Sequence, residues 1–449
     1  MMQADTSIRG KNAADYLAEA EQLATRTTTA LLARPVAKVG VIGAGTMGRG
    51  IALACLYAGL DTVLIDQSRE ALDDCSRRIA ADLLVQGERG RWPAEQSAER
   101  LSRLTATQDY AALADSDLVI ESVFETMAIK QAVFRQLDAA CRADCVLASN
   151  TSTLDLDAIA SATARPQSVV GLHFFSPANV MRLLEIIRGG QTAPDVLATA
   201  RAFAVQLGKV GVVVGNCFGF AGNRMIEGLV REVNMMLLEG AVPAQIDGVL
   251  KDFGYAMGPF AVADVVGLDV PYRSRQEVSQ ALPGDAAYCR MADLLVEQGR
   301  HGQKTGMGYY VYPDGPRHPR PDPEIARMAA EEARRLGIAQ REIGTDEIVE
   351  RCVLTVVNEG AAVLEEGIAD RASDLDVIYT SGYGFPAGRG GPMAYADTLG
   401  LAAVLERVRG YHARYGDYWR PSDLLAELVK NGESFADHDA RCGTEEFAP

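Results

Sequence analysis

The chain has 449 residues, of which 48% are apolar and 23% charged, with a formal net charge of −16. That length exceeds what one hydrophobic core serves and implies two to four domains. The acidic balance argues against nucleic acid as a partner, and no apolar run approaches the ~20 residues of a membrane-spanning helix.

A phosphorylated small molecule held by local groups stays compatible with this charge. Eight cysteines are scattered with no CxxC. Cys141 and Cys145 stand four apart and read as a helix face, so no metal is expected. The start of the chain has no signal-peptide core and its end, EEFAP, no peroxisomal tripeptide, so a cytoplasmic, reducing setting is expected.

In chain order, residues 13–33 have helical spacing, with Tyr16, Leu17, Ala20 and Leu23 on one face and Pro35 closing the segment. Residues 1–35 therefore read as a leading helix or linker. From 36 to 215, short β-branched runs alternate with helical stretches: KVGVI (38–42), TVLID (62–66), DLVIE (117–121), CVLAS (145–149), VVGLHF (169–174), LLEII (183–187) and VGVVVG (210–215). Such near-continuous apolar strands predict an α/β domain with a mainly parallel sheet covered on both faces.

The first strand runs into GAGTMG, which supplies Gly43, Gly45 and Gly48 in G-x-G-x-x-G spacing, then a helix. Asp66 ends the next strand. The glycines allow a tight turn and close approach to a pyrophosphate at the helix N-terminus, with Ala44, Thr46 and Met47 completing the cradle. Asp66 can accept both ribose hydroxyls and would repel a 2′-phosphate, which favours NAD over NADP.

Sheets of this class bind ligands at the carboxyl ends of their strands. Those ends carry Glu125 and Lys130, then Asn150-Thr151-Ser152, then His173. His173 and Glu185 both sit inside apolar runs, as a satisfied core pair or as a general base with its orienting acid. Ser152 alone would read as a helix cap, and Asn223 as the N-cap of an amphipathic helix over 224–240.

Beyond Asn223 the strand pattern stops. GPRHPRPDP (315–323) reads as a linker, and GPFAVADVVGL (258–268) recurs as GPMAYADTLGL (391–401). A motif repeated with its upstream flank implies two related all-helical domains, over 216–320 and 340–435, with a tail at 436–449.

GAGTMG, SNTS, GLHFFSPANVM, LLEII, CFGFAGNR and GYAMGPFAVADVVGLD together resemble the L-3-hydroxyacyl-CoA dehydrogenase family, from about Val36 to about Phe435. GQKTGMGYYVY (302–312) and the second helical copy resemble the dehydrogenase portion of multifunctional β-oxidation enzymes. The resemblance implies NAD-dependent oxidation of an L-3-hydroxyacyl-CoA in fatty-acid metabolism, at a cleft between the NAD domain and the first helical domain. It implies His173 as base and Glu185 as its acid. Ser152 and Asn223 would contact the reacting end of the substrate, Glu125, Lys130, Ser176 and again Ser152 the cofactor, and Asp66 its ribose.

Ser176 replaces an asparagine of many relatives, Phe218 a proline. Asp82 stands where single-copy relatives place a serine on CoA. With about 35 residues ahead of the NAD domain, hydratase activity is not expected, and a separate hydratase or thiolase could dock. The second copy could replace a partner subunit, making a monomer as plausible as a homodimer. The rival readings are a hydroxy-acid dehydrogenase on a non-CoA substrate and a non-catalytic NAD-binding relative.

Overall fold

The computed structural model describes residues 11–26, 32–93, 95–270, 272 and 289–442; parts of the expected leading segment (1–10, 27–31) and tail (443–449) lie outside them. The strands are β1 (Lys38–Ile42), β2 (Asp61–Ile65), β3 (Leu104–Thr107), β4 (Leu118–Glu121), β5 (Val146–Ser149), β6 (Val169–Phe174), β7 (Leu183–Arg188) and β8 (Val210–Gly215). They form one sheet in the order β3-β2-β1-β4-β5-β6-β7-β8. Helices α1 (Ala13–Thr25), α2 (Thr46–Tyr57), α3 (Arg69–Glu88), α4 (Glu95–Ser102), α5 (Met127–Ala140), α6 (Leu156–Ala160) and α7 (Pro194–Gln206) belong to this part of the chain.

β1 to β6 are parallel, as expected, but β7 pairs antiparallel to β6 and parallel to β8. The cause is loop length. Only residues 175–182 join β6 to β7, too few for a crossover of about a dozen residues or more. β3 escaped the sequence reading because LTAT is a half-exposed edge strand with no apolar run. In α1 the buried face is Tyr16, Leu17, Ala20 and Ala24, whereas Leu23 is 42% exposed, which corrects the expected stripe.

The core packs Val39 and Val41 of β1, Ile120 of β4, Leu172 of β6 and Ile186 of β7 against Ile51 of α2 and Phe203 of α7. Strand order reverses on either side of β1, so the carboxyl ends of β1 and β4 flank the crevice where such sheets take ligands.

The helical part comprises α8 (Gly222–Leu238), α9 (Pro243–Phe253), α10 (Pro259–Val266), α11 (Met291–Glu297), α12 (Pro323–Leu336), α13 (Thr345–Glu365), α14 (Ala372–Gly382), α15 (Pro392–Leu399), α16 (Leu401–Tyr415), α17 (Asp423–Asn431) and α18 (Phe435–Cys442). A two-residue strand pair, 310–311 with 320–321, lies within the stretch expected to be linker and helix.

The repeat shows in the caps. α10 and α15 each start with Gly then Pro, and each stops at a glycine of nearly the same left-handed geometry, Gly267 (φ 94°, ψ 120°) and Gly400 (φ 81°, ψ 119°). A side chain would be strained at either stop.

The chain packs into two compact units. One holds Arg224–Ala362 and Gly384–Ser434; the other holds the described parts of Thr6–Asn223, Val363–Tyr383 and Phe435–Pro449. In the helical unit, α8 and α13 are equivalent helices of the two copies. The wholly buried Arg351 of α13 lies 2.7 Å from Glu232 and 2.8 Å from Glu239.

In the sheet-containing unit, α14 packs with α1, where the Tyr16 hydroxyl donates to Asp376 at 2.7 Å. The α14 end lies close on β7: a Cβ added at Gly382 would fall on Leu183.

Candidate active site

The glycine turn after β1 is built for a dinucleotide. Gly43 has φ 105°, and a Cβ at Gly48 would fall on the Gly43 carbonyl oxygen, so neither position takes a side chain. Gly45 and Thr46 form the exposed edge between half-buried Ala44 and Met47. A Cβ at Gly45 would meet nothing within 4 Å, which leaves that backbone open to close approach. α2 starts there with no side-chain cap and no acid in its first turn. Its free amides suit an anion.

Asp66 accepts from the Ala44 and Ser68 amides, 2.8 Å each, one per carboxylate oxygen. Each oxygen keeps acceptor capacity for a ribose hydroxyl. The residues present therefore fit NAD.

Next along the crevice is a buried acid–base cluster. The Lys130 ammonium, 1% exposed, lies 2.8 Å from Glu121 and 3.1 Å from Glu125. Its visible role is to hold these carboxylates. Glu121, wholly buried at the end of β4, also accepts from the Ser149 hydroxyl at 2.7 Å and the Val123 amide at 2.8 Å. Glu125 accepts from the Thr151 hydroxyl at 2.5 Å, the Ser152 amide at 2.7 Å and the Ser152 hydroxyl at 3.3 Å. Burial opposes ionisation of Glu125, but Lys130 and these donors outweigh it and hold its carboxyl below the ordinary range. Glu125 thus fixes the Ser152 loop.

His173 and Glu185 face each other across the antiparallel pair β6–β7, in direct register. Opposed side chains in such a pair are within contact distance. The imidazole Nδ1 lies 2.7 Å from Glu185 Oε2, and the Gly222 amide donates to Oε1 at 2.9 Å. Glu185 is wholly buried and His173 6% exposed. Rings of Phe175 and Phe220 lie 4.5 and 5.7 Å from the imidazole. Phe220 is the one non-glycine at positive φ, 52°, among the described residues. Strain of this kind gathers where a site demands one particular turn.

That turn launches α8 with Gly222 on Glu185 and Asn223 beside it. Asn223 sits within the first helical turn rather than at its cap. Its amide nitrogen is 3.4 Å from the Ser152 carbonyl, and its oxygen accepts from Tyr383 at 2.7 Å.

One hydrogen-bonded chain therefore runs His173–Glu185–Gly222, then through Asn223 to Ser152, Glu125, Lys130 and Glu121. It joins His173, Glu185, Ser152, Asn223, Glu125 and Lys130, all singled out from sequence. Asp66 lies in the glycine cradle, Ser176 is exposed in the 175–182 loop, and Asp82 is half-exposed on α3. Phe218 is 56% exposed. Glu121 and Tyr383 were missed. Glu121 left one signal, an acid closing an otherwise apolar strand; Tyr383 left none beyond its place in the repeat.

Two family models cover most of the chain: the 3-hydroxyacyl-CoA dehydrogenase NAD binding domain matches residues 38–217, and the C-terminal domain of the same family matches 219–312 and 348–439. A peroxisomal bifunctional enzyme of Danio rerio is 43% identical over 413 residues, covering 89% of this chain. The chain spans 57% of that relative's length. A crystal structure of 3-hydroxybutyryl-CoA dehydrogenase from Escherichia coli superposes with a TM-score of 0.75 at 28% identity, over 89% of this chain and all of that one. The dehydrogenase part of multifunctional enzyme 1 from C. elegans gives 0.65 at 28% identity, over 94% and 99%.

Proposed function

The chain belongs to the 3-hydroxyacyl-CoA dehydrogenase family, and on that premise we propose that it interconverts an L-3-hydroxyacyl-CoA and the 3-oxoacyl-CoA with NAD. The observation that carries the reading is the 2.7 Å His173–Glu185 pair, tied through Gly222 and Asn223 to the Ser152 loop. A merely structural His–Glu pair would not need that connection.

The Gly43–Gly48 turn and Asp66 would hold NAD, which would supply the hydride acceptor for C3. The protein's task is the proton and the pose. With Nδ1–H donated to Glu185, the Nε2 lone pair is left to accept the 3-hydroxyl proton. Glu185 is fixed by its second bond, to Gly222, and stabilises the imidazolium that forms. Ser152 and Asn223 are the donors available to the substrate oxygens, and the Phe175 and Phe220 rings keep water from the imidazole. Oxidation should gain rate as pH rises and reduction as it falls, because one needs the free base and the other its conjugate acid.

The proposal includes a fatty acyl-CoA substrate, action as a monomer or homodimer, and work alongside a separate hydratase or thiolase. The cytoplasmic placement is part of it too, resting on the acidic composition; the Danio rerio relative is named as peroxisomal.

The test is to mix purified protein with acetoacetyl-CoA and NADH, with NADPH in parallel, and follow NADH absorbance. Rapid NADH oxidation, lost in His173→Gln, is the expected result. Tight NADH binding without turnover of any acyl-CoA would sink the reading in favour of a non-CoA substrate or a non-catalytic relative.

A further inference from the structure

We propose that Tyr383, at the end of α14 in the second helical repeat, is a positioning residue that sets the amide of Asn223 for the substrate. This rests on the dehydrogenase reading above. The Ser152 carbonyl can only accept, so the Asn223 nitrogen, 3.4 Å away, is on that side and its oxygen faces Tyr383. The 2.7 Å contact is therefore a phenol O–H donated to Asn223 Oδ1. Burial, the Glu185 carboxylate and Tyr379 hold the phenol well above its ordinary value, so the proton stays on Tyr383. With its oxygen tied, the amide cannot flip, and an N–H of Asn223 remains to meet a substrate oxygen.

The ring is held as firmly as the hydroxyl. It stacks on Tyr379 at 5.0 Å with planes 18° apart, and meets Phe175 edge-on at 5.4 Å. Phe175 in turn touches the His173 ring. Below it lies Gly222, where an added Cβ would fall on the phenol ring. The counterpart in the first repeat is Tyr255, of FGY, whose buried hydroxyl makes no hydrogen bond among the described residues. The bond to Asn223 is therefore not what the repeated motif requires of its tyrosine; it belongs to the second copy, beside His173.

The experiment is a double-mutant cycle on the full chain with Tyr383→Phe and Asn223→Ala, read as kcat for acetoacetyl-CoA reduction by NADH. Tyr383→Phe keeps the ring and should lower kcat about tenfold, the worth of one well-placed hydrogen bond. The KM for NADH should hold. In the Asn223→Ala background the same change should have no further effect. A purely structural role would not produce that coupling, and NADH-binding stoichiometry corrects for any unfolded fraction.

If the two effects multiply, or if Tyr383→Phe is silent in an active protein, the inference fails while the dehydrogenase reading stands. If the wild-type protein turns over no acyl-CoA, both fail.

Discussion

Replacing Glu185 by glutamine changes one atom and tests the whole assignment. The glutamate accepts two N–H groups, from His173 at 2.7 Å and from Gly222 at 2.9 Å, in a wholly buried site. A glutamine offers one acceptor and one donor. If its oxygen turns to Gly222, its NH2 faces Nδ1, the ring must carry its proton on Nε2, and the lone pair proposed to take the substrate proton is gone. If its oxygen turns to His173, the tautomer survives but the Gly222 amide faces a donor, at a cost of ~1–3 kcal/mol for the unmatched group. The imidazolium also loses a charge-assisted bond, another ~1.5–3 kcal/mol.

Turnover through that second arrangement is thus lowered by about 2.5–6 kcal/mol, or roughly 10²–10⁴-fold. The measurement is kcat in both directions for Glu185→Gln, with NADH affinity by fluorescence titration. The loss should fall on kcat, equally in both directions, and leave NADH affinity alone. Activity within fivefold of wild type would refute the dyad, as would a loss confined to NADH binding.

Asp66→Ala should weaken NADH about 10–100-fold, the loss of charged hydrogen bonds to a ribose, and narrow the gap to NADPH; an unchanged NADH affinity would remove Asp66 from the cofactor site. Arg351→Ala should destabilise the chain by about 3 kcal/mol in urea unfolding, the low end for a broken buried pair, because Glu232 and Glu239 lose its charge and keep only those of Arg231 and Arg341; a loss under 1 kcal/mol would show that these two arginines suffice. Lys209 is buried, donates to the Ala178 carbonyl at 2.7 Å and the Met181 carbonyl at 2.6 Å, and is pushed by burial down to about 8. Between that value and the ordinary lysine value the unfolded chain binds the extra proton, so stability should rise from pH 7.5 to 10. Lys209→Met should flatten that slope in thermal melts; an identical slope in both proteins would assign it to other groups.

What the sequence made legible was the part written in local pattern. The glycine spacing after an apolar strand located the cradle, and Asp66 followed from its place at the next strand end. His173 and Glu185 were readable as a pair because both interrupt apolar runs, but their face-to-face register depends on β7 running backwards, and that hinges on the shortness of 175–182. Lys130 was legible as a polar group near a strand end. Its burial between two carboxylates was not, since nothing local marks Glu121 as its partner. Tyr383 lies 160 residues from Asn223, and only the folded chain brings them together. The α1 stripe misled because Leu23 and Ala24 compete for one face, and propensity does not say which neighbour will cover it.

The sheet-containing unit is not continuous in the chain, and this bears on how it is made. Its strands are complete by Gly215, yet Tyr383 and the Asp376 that receives Tyr16 come from Val363–Tyr383. At about 5–20 residues per second of synthesis, the intervening stretch keeps the unit waiting roughly 7–30 s for that segment. During that interval Tyr16 of α1 lacks its Asp376 acceptor and the Asn223 oxygen lacks the Tyr383 hydroxyl. A nascent chain can acquire its dinucleotide cradle early, but Asn223 gains the second of its two hydrogen bonds only after Tyr383 has left the ribosome.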